Sequence, residues 1–259
     1  MPVVEINGQK VSYEEAGNGL PVVFIPGLAE TKEWFRYQMS GLSENYRTIT
    51  YDLRANPKNG EYSARLLVDD LARFLDALHI QSAAVCGHSF GGIVAQEFAI
   101  SYPDRTSALC LISAFPALPS EHAEKLLSWL SPKGTAGHRN PLEWLRGLFA
   151  GRQPDCVSYE CLAEQSAHAG RSAVEARLRL IQSYDSTSRL GEIDAPTLIV
   201  VGAKDRAEIL HSAQILYEGI PDVTLEVIEG GDHFCFFHRH DLVNAALDDF
   251  LTARLASLS

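Results

Sequence analysis

The sequence predicts an α/β protein with a doubly wound, mostly parallel sheet and a helical cap inserted late in the chain. Three observations lead there. Short apolar runs alternate with helical periodicity through the first half and again near the end. The segment Gly87-His88-Ser89-Phe90-Gly91 sits between one such run and a helix. Between 115 and 190 the strands stop and helical segments take their place. Strand–helix alternation calls for parallel neighbours joined by right-handed crossovers, and such sheets carry helices on both faces.

The elements follow in order. Residues 3–6 and 10–15 form a hairpin around Asn7-Gly8, a dipeptide suited to a tight turn. Val22-Val23-Phe24-Ile25 is a buried-strand run halted by Pro26-Gly27, and residues 46–51 form another strand. From 63 to 78 the apolar residues fall at 67, 71, 74, 75 and 78, which is helical spacing. Asp69, Asp70 and Arg73 lie on the other side and read as a solvated face. Residues 83–86 are the strand that feeds Ser89, 92–102 the helix after it, and 107–112 the next strand. Helices at 120–130, 141–150, 157–168 and 172–184 fill the insert. Beyond it come a strand at 197–201, a helix at 208–218, a strand at 223–228 and a terminal helix at 241–255. The core is therefore 1–114 with 191–259, and 115–190 reads as a lid over the sheet edge where ligands bind.

A chain of 259 residues, 46% hydrophobic, suffices for one large domain with a full core. Its net charge of −11 argues against nucleic acid or an anionic membrane as partner. No run approaches the ~18 apolar residues of a membrane span, and Met1-Pro2-Val3-Val4-Glu5 does not open a signal peptide. A cytoplasmic location is the expectation. The five cysteines show no metal-binding spacing, and Cys86 and Cys110 read as small core residues.

The chemistry centres on Ser89. A serine at a sharp strand-to-helix turn needs neighbours without a Cβ, which Gly87 and Gly91 supply. Its hydroxyl then stands at the carboxyl edge of the sheet, beside a helix N-terminus that favours developing negative charge. A hydroxyl becomes nucleophilic only with a base, and the base must be oriented by an acid. Asp205 follows the strand at 197–201 in a Gly-containing loop, and His233 follows the strand at 223–228. The chain order Ser, Asp, His suits this architecture.

With these residues in place the chain resembles the α/β-hydrolase fold family, in its helical-cap subgroup of cofactor-independent serine hydrolases. The likeness runs through Ile25-Pro26-Gly27-Leu28, Tyr51-Asp52-Leu53-Arg54, Gly87 to Gly92, Ala195-Pro196 with Gly202 and Asp205, and Gly230 to His233. It implies Ser89 as nucleophile, His233 as base, Asp205 as orienting acid, and the backbone N–H groups of Leu28 and Phe90 as an oxyanion hole. It implies no cofactor and no metal. Two departures concern the site: Pro26-Gly27 stands where the family usually has His-Gly, and Ala55-Asn56-Pro57-Lys58-Asn59-Gly60 replaces a glycine-richer loop.

Other residues carry plainer readings. Asp232 is a loop residue, because the ring of adjacent His233 would have to fold back on it. His88 makes supporting hydrogen bonds and transfers no proton. His238 and His240 are two apart, share no helix face and open a solvated helix. Cys235 lacks a base of its own and packs as an apolar residue. Trp129, Trp144 and Phe149 could line a substrate pocket or pack the lid onto the core.

The expected substrate is a small acyl compound: a carboxylic ester, thioester or lactone cleaved through an acyl-enzyme. A carbon–carbon hydrolase of ring-cleavage products, an acyltransferase or perhydrolase, and a ligand receptor without turnover stay open, since fold does not fix chemistry. The lid carries nine Lys/Arg against eight Asp/Glu in a chain of net charge −11. Salt pairing between lid and body explains this; alternatively one lid arginine (Arg139, Arg146, Arg152, Arg171, Arg177 or Arg179) meets a substrate carboxylate. Monomer and homodimer are equally open.

Overall fold

The computed structural model describes residues 2–55, 62–118, 124 and 170–255. Among them eight strands form one sheet: β1 (Val3–Ile6), β2 (Gln9–Ala16), β3 (Leu20–Ile25), β4 (Tyr46–Tyr51), β5 (Ala83–His88), β6 (Thr106–Ile112), β7 (Thr197–Gly202) and β8 (Val223–Ile228). Their order is β1-β2-β4-β3-β5-β6-β7-β8. The β1–β2 hairpin turns on Asn7 and Gly8, both at positive φ, as a tight two-residue turn requires. β2 runs antiparallel to β4, and every neighbour pair from β4 to β8 is parallel.

Seven α-helices are described: α1 (Arg36–Leu42), α2 (Ala64–Ala77), α3 (Phe90–Ser101), α4 (Arg171–Ser183), α5 (Ala207–Gly219), α6 (Cys235–His238) and α7 (His240–Leu255). The helices expected at 120–130, 141–150 and 157–168 lie outside the described residues but for Glu124, and so do Trp129, Trp144 and Phe149. None of the described helices is long and apolar enough to cross a membrane.

The alternation of side chains along each strand divides the core in two. Val23, Ile25, Val85, Leu109, Leu111, Ile199 and Val201 face a layer built from α2, α3, α4 and α5. Val22, Phe24, Ala84, Cys86, Cys110, Leu198 and Val200 face the opposite layer, where α1, α6 and α7 pack. The central strands are buried on both faces, which is why they read as unbroken apolar runs. Helix α4 belongs to the first layer: Val174, Leu178 and Ile181 are buried there, and Ala117 bridges Asp185 beside it. The described ends of the 115–190 segment thus share the core of the sheet.

The strand order fixes where a ligand can sit. From β3 the chain moves outward to β4 on one side and then to β5 on the other. The loops leaving the carboxyl ends of β3 and β5 therefore diverge, and the crevice between them is the natural site in an open parallel sheet.

One expectation is corrected. Asp70 does not belong to a solvated face; it is 5% exposed. Its two oxygens accept from Arg54 Nε at 2.6 Å and Nη2 at 3.0 Å, and Asn7 donates to it at 2.6 Å. Helical spacing marks the apolar stripe but does not show that a carboxylate at its margin will be covered by a neighbouring arginine. Removing one member leaves the other charged and buried, so Asp70→Ala should destabilise the fold by about 3–5 kcal/mol. Urea unfolding of the variant, with Arg54→Met/Asp70→Leu as the paired replacement, checks this: the double variant should recover much of the loss.

Candidate active site

Ser89 occupies the turn between β5 and α3 at φ 50 and ψ −113. A non-glycine residue is rarely held there, and the surrounding chain enforces it. Its N–H donates to the Ile112 oxygen at 2.9 Å, and its own oxygen accepts from Gly92 N–H at 2.9 Å. The strand and helix meet so closely that a Cβ on Gly87 would strike the Gly91 carbonyl, and one on Gly91 would strike the Ile25 carbonyl. The serine is half-buried.

His233 stands in the loop after β8, and its Nε2 lies 3.1 Å from Ser89 Oγ. Its Nδ1 lies 3.1 Å from both oxygens of Asp205. A proton on Nδ1 satisfies that carboxylate and leaves Nε2 free to accept from Ser89. Asp205, in the loop after β7, is buried and also accepts from Arg206 N–H at 2.7 Å. Burial alone would raise its pKa, but the His233 ring and the Arg206 N–H outweigh that and hold the carboxyl below its ordinary range. Burial lowers the pKa of His233, against the pull of Asp205 and with help from His88 and Arg206. The base is therefore neutral at neutral pH.

The three residues singled out in the sequence thus meet across separations of 144 and 28 residues. The backbone N–H groups of Leu28 and Phe90 have no acceptor among the described residues. Phe90 opens α3, so its N–H is one of the donors a helix leaves unsatisfied at its start.

Asp232 and Cys235 match their plainer readings, whereas His238 and His240 do not open one solvated helix: His238 ends α6, His240 begins α7, and both are half-buried. Asp232 accepts from Phe234 N–H at 2.9 Å and faces His238 Nδ1 at 3.2 Å. The His240 ring stacks on Tyr37, with centroids 4.2 Å apart. Cys235 is fully buried, and burial pushes its thiol up to about 12.

Two groups near the site take roles that the sequence reading did not give them. Arg177 of α4 is 2% exposed. Its guanidinium donates to the carbonyls of Leu28 at 2.8 Å, Gly27 at 3.4 Å and Leu53 at 3.4 Å, and to the Tyr62 hydroxyl at 3.1 Å. It spans the loops after β3 and β4 and is committed to the protein, not to a substrate carboxylate. Arg179 is exposed, and Arg139, Arg146 and Arg152 lie outside the described residues. The signal for Arg177 was its position: it shares a helix face with Ala173, Val174, Leu178 and Ile181, where an arginine needs partners. The second group is Glu30, whose Oε2 accepts from Gly27 N–H at 2.6 Å and whose Oε1 lies 2.7 Å from His88 Nδ1. A lone carboxylate beside Gly27-Leu28-Ala29 and a lone histidine ending an apolar strand were the signal there.

Residues 22–246 match the alpha/beta hydrolase family. A protein of Azorhizobium caulinodans, provisionally named carbamate hydrolase RutD, is 25% identical over 96% of this chain and 98% of its own length. The 2-hydroxy-6-oxo-6-phenylhexa-2,4-dienoate hydrolase of Comamonas testosteroni is 28% identical over 94% of this chain and 92% of its own. Among solved structures, the enol-lactonase of Burkholderia xenovorans superposes with a TM-score of 0.85 at 22% identity, covering 97% of this chain and 100% of that one. The parallel sheet, the turn at Ser89 and the match over most of the length agree: the chain belongs to the alpha/beta hydrolase family and is an enzyme of hydrolase type.

Proposed function

We propose that this enzyme cleaves a carboxylic ester, thioester or lactone through an acyl-enzyme on Ser89. The observation that carries the reading is the unbroken relay from Asp205 through His233 to Ser89 Oγ at hydrogen-bond distances. His233 Nε2 takes the hydroxyl proton as Oγ attacks the acyl carbon. The negative charge that develops on the carbonyl oxygen is met by the N–H groups of Leu28 and Phe90 and by the start of α3. His233 then gives its proton to the leaving group. A water molecule, activated by the same ring, attacks the acyl-enzyme and frees Ser89. No step calls for a cofactor. The 115–190 segment, apart from its described ends, which pack in the core, is the proposed cover of the acyl pocket and carries Trp129, Trp144 and Phe149, in a soluble enzyme acting on a small molecule.

A carbamate is an acyl compound within the same chemistry, and the Azorhizobium relative's name points to that variant. Carbon–carbon hydrolysis is the second reading, favoured by the name of the Comamonas relative. Wild-type protein and Ser89→Ala assayed on p-nitrophenyl esters of graded acyl length test the first. Wild-type turnover should exceed that of the variant by at least about 10⁴-fold. Equal rates would remove the nucleophile assignment. Wild-type activity confined to a vinylogous diketone substrate would favour the second reading.

The direction of the His233 shift sets a pH profile. The base works only when neutral, and burial depresses its pKa below the ordinary 6.5. The acid limb of kcat/KM should therefore have its midpoint below pH 6.5. An acid limb centred above that value would contradict the assignment. Arg177 holds the Gly27 and Leu28 carbonyls from α4, so Arg177→Lys, which keeps the charge but not the fork, should lower kcat about tenfold with a smaller change in KM. Steady-state kinetics on the best ester decides that.

A further inference from the structure

His88 ends β5, directly before Ser89, and is fully buried. Both of its ring nitrogens face acceptors. Nδ1 lies 2.7 Å from Glu30 Oε1, and Nε2 lies 2.9 Å from the backbone oxygen of His233. The His233 oxygen is a hydrogen-bond partner for Nε2, whereas the contact of Nδ1 with Glu30 is an ion pair by distance and not an aligned hydrogen bond. Burial works against the charged ring, but Glu30 and the His233 carbonyl more than offset it and raise the pKa of His88. The remaining Glu30 oxygen binds Gly27 N–H at 2.6 Å. That approach depends on Gly27 having no side chain, since a Cβ there would sit 2.7 Å from Glu30 Oε1.

We propose that Glu30 and His88 are positioning residues that lock the loop carrying Leu28 to the loop carrying His233, through the strand that delivers Ser89. The inference rests on the reading of Ser89 and His233 as nucleophile and base. One dry ion pair reaches all three parts of that chemistry. It fixes the peptide preceding the Leu28 N–H, it is covalently next to Ser89, and it holds the carbonyl of the residue whose ring is the base. Aromatic packing seals it: Phe236 lies 4.3 Å from the His88 ring, and Trp34 packs on Phe234 at 5.2 Å. Apolar residues of the same volume would fill this space at less cost than a buried ion pair. They could bond neither Gly27 N–H nor the His233 carbonyl, and that difference is what the pair contributes.

The test uses the full chain, p-nitrophenyl butyrate turnover and the rate at which a fluorophosphonate labels Ser89. Glu30→Ala should lower kcat and the labelling rate by at least about tenfold, with KM within about twofold. Glu30→Gln should recover both to within about threefold, because its amide can accept from Gly27 N–H and donate to a neutral His88. Gly27→Ala approaches the same link from the other end. It should impair wild type but cost nothing further in the Glu30→Ala background, where the carboxylate is gone. Wild-type rates in Glu30→Ala, or no recovery in Glu30→Gln, would overturn the proposal. Should Glu30→Ala fail to fold, unimpaired Gly27→Ala would overturn it instead. Ser89→Ala separates the two levels. If it is inactive while Glu30→Ala is fully active, only the positioning role falls; if Ser89→Ala keeps wild-type activity, the nucleophile assignment falls and the positioning role with it.

Discussion

Everything at the site depends on one backbone constraint: Ser89 held at φ 50 and ψ −113 between a buried strand and a buried helix. Such a conformation costs on the order of 1–3 kcal/mol and persists only where its surroundings leave no alternative. Here the surroundings are Gly87, which brings β5 nearly into backbone contact with α3, Gly91, which does the same for α3 and the end of β3, and the hydrogen bond from Ser89 N–H to Ile112. The constraint has two results: it sets the hydroxyl within 3.1 Å of His233 Nε2, and it leaves Ser89 at the N-terminus of α3. A relaxed serine at this position would keep the residue and lose the geometry.

The loop after β3 has no regular structure to hold it, yet the proposed mechanism requires Leu28 to be placed as accurately as Ser89. The protein solves this with charge. Arg177 grips the loop's carbonyls from α4, and Glu30 grips its Gly27 N–H from the direction of His88. Lys32 adds a third anchor further along, donating its backbone N–H and its ammonium to the two oxygens of Asp52 at 3.0 Å each. Hydrogen bonds to charged groups contribute about 1.5–3 kcal/mol each, more than neutral ones. They are also directional, whereas apolar packing is not. Buried ions are a poor source of stability, so their concentration around this loop fits a demand for placement.

The sheet, its helices and the meeting of Ser89, Asp205 and His233 were legible because each leaves a local trace. Strand runs, helical spacing and the strand–turn–helix context of Gly87 to Gly91 are patterns within a short window, and chain order joined the rest. Asp70, Glu30, His88 and Arg177 were not legible in the same way. Asp70 was read as solvated because spacing reports which face a residue occupies and not what covers that face. Arg177 and Leu28 are separated by 149 residues, and no window contains both. What the sequence does offer is the anomaly: a charged residue on an apolar helix face, or a histidine closing an apolar strand, must have a partner. The partner's identity is a property of the fold.

The strand order explains why those partners gather where they do. Because the chain leaves β3 for one side of the sheet and returns to place β5 on the other, the β3 and β5 loops open a crevice between them. Asp205 and His233 arrive from β7 and β8, two and three strands away from β5. A site assembled from loops that share no sequence neighbourhood has no local means of staying in register. The Glu30–His88 pair and Arg177 supply that register across the crevice, one tying the β3 loop to β5 and the loop after β8, the other tying it to α4 and the loop after β4. On this view the charged residues nearest the crevice are part of how an open sheet edge becomes a rigid site.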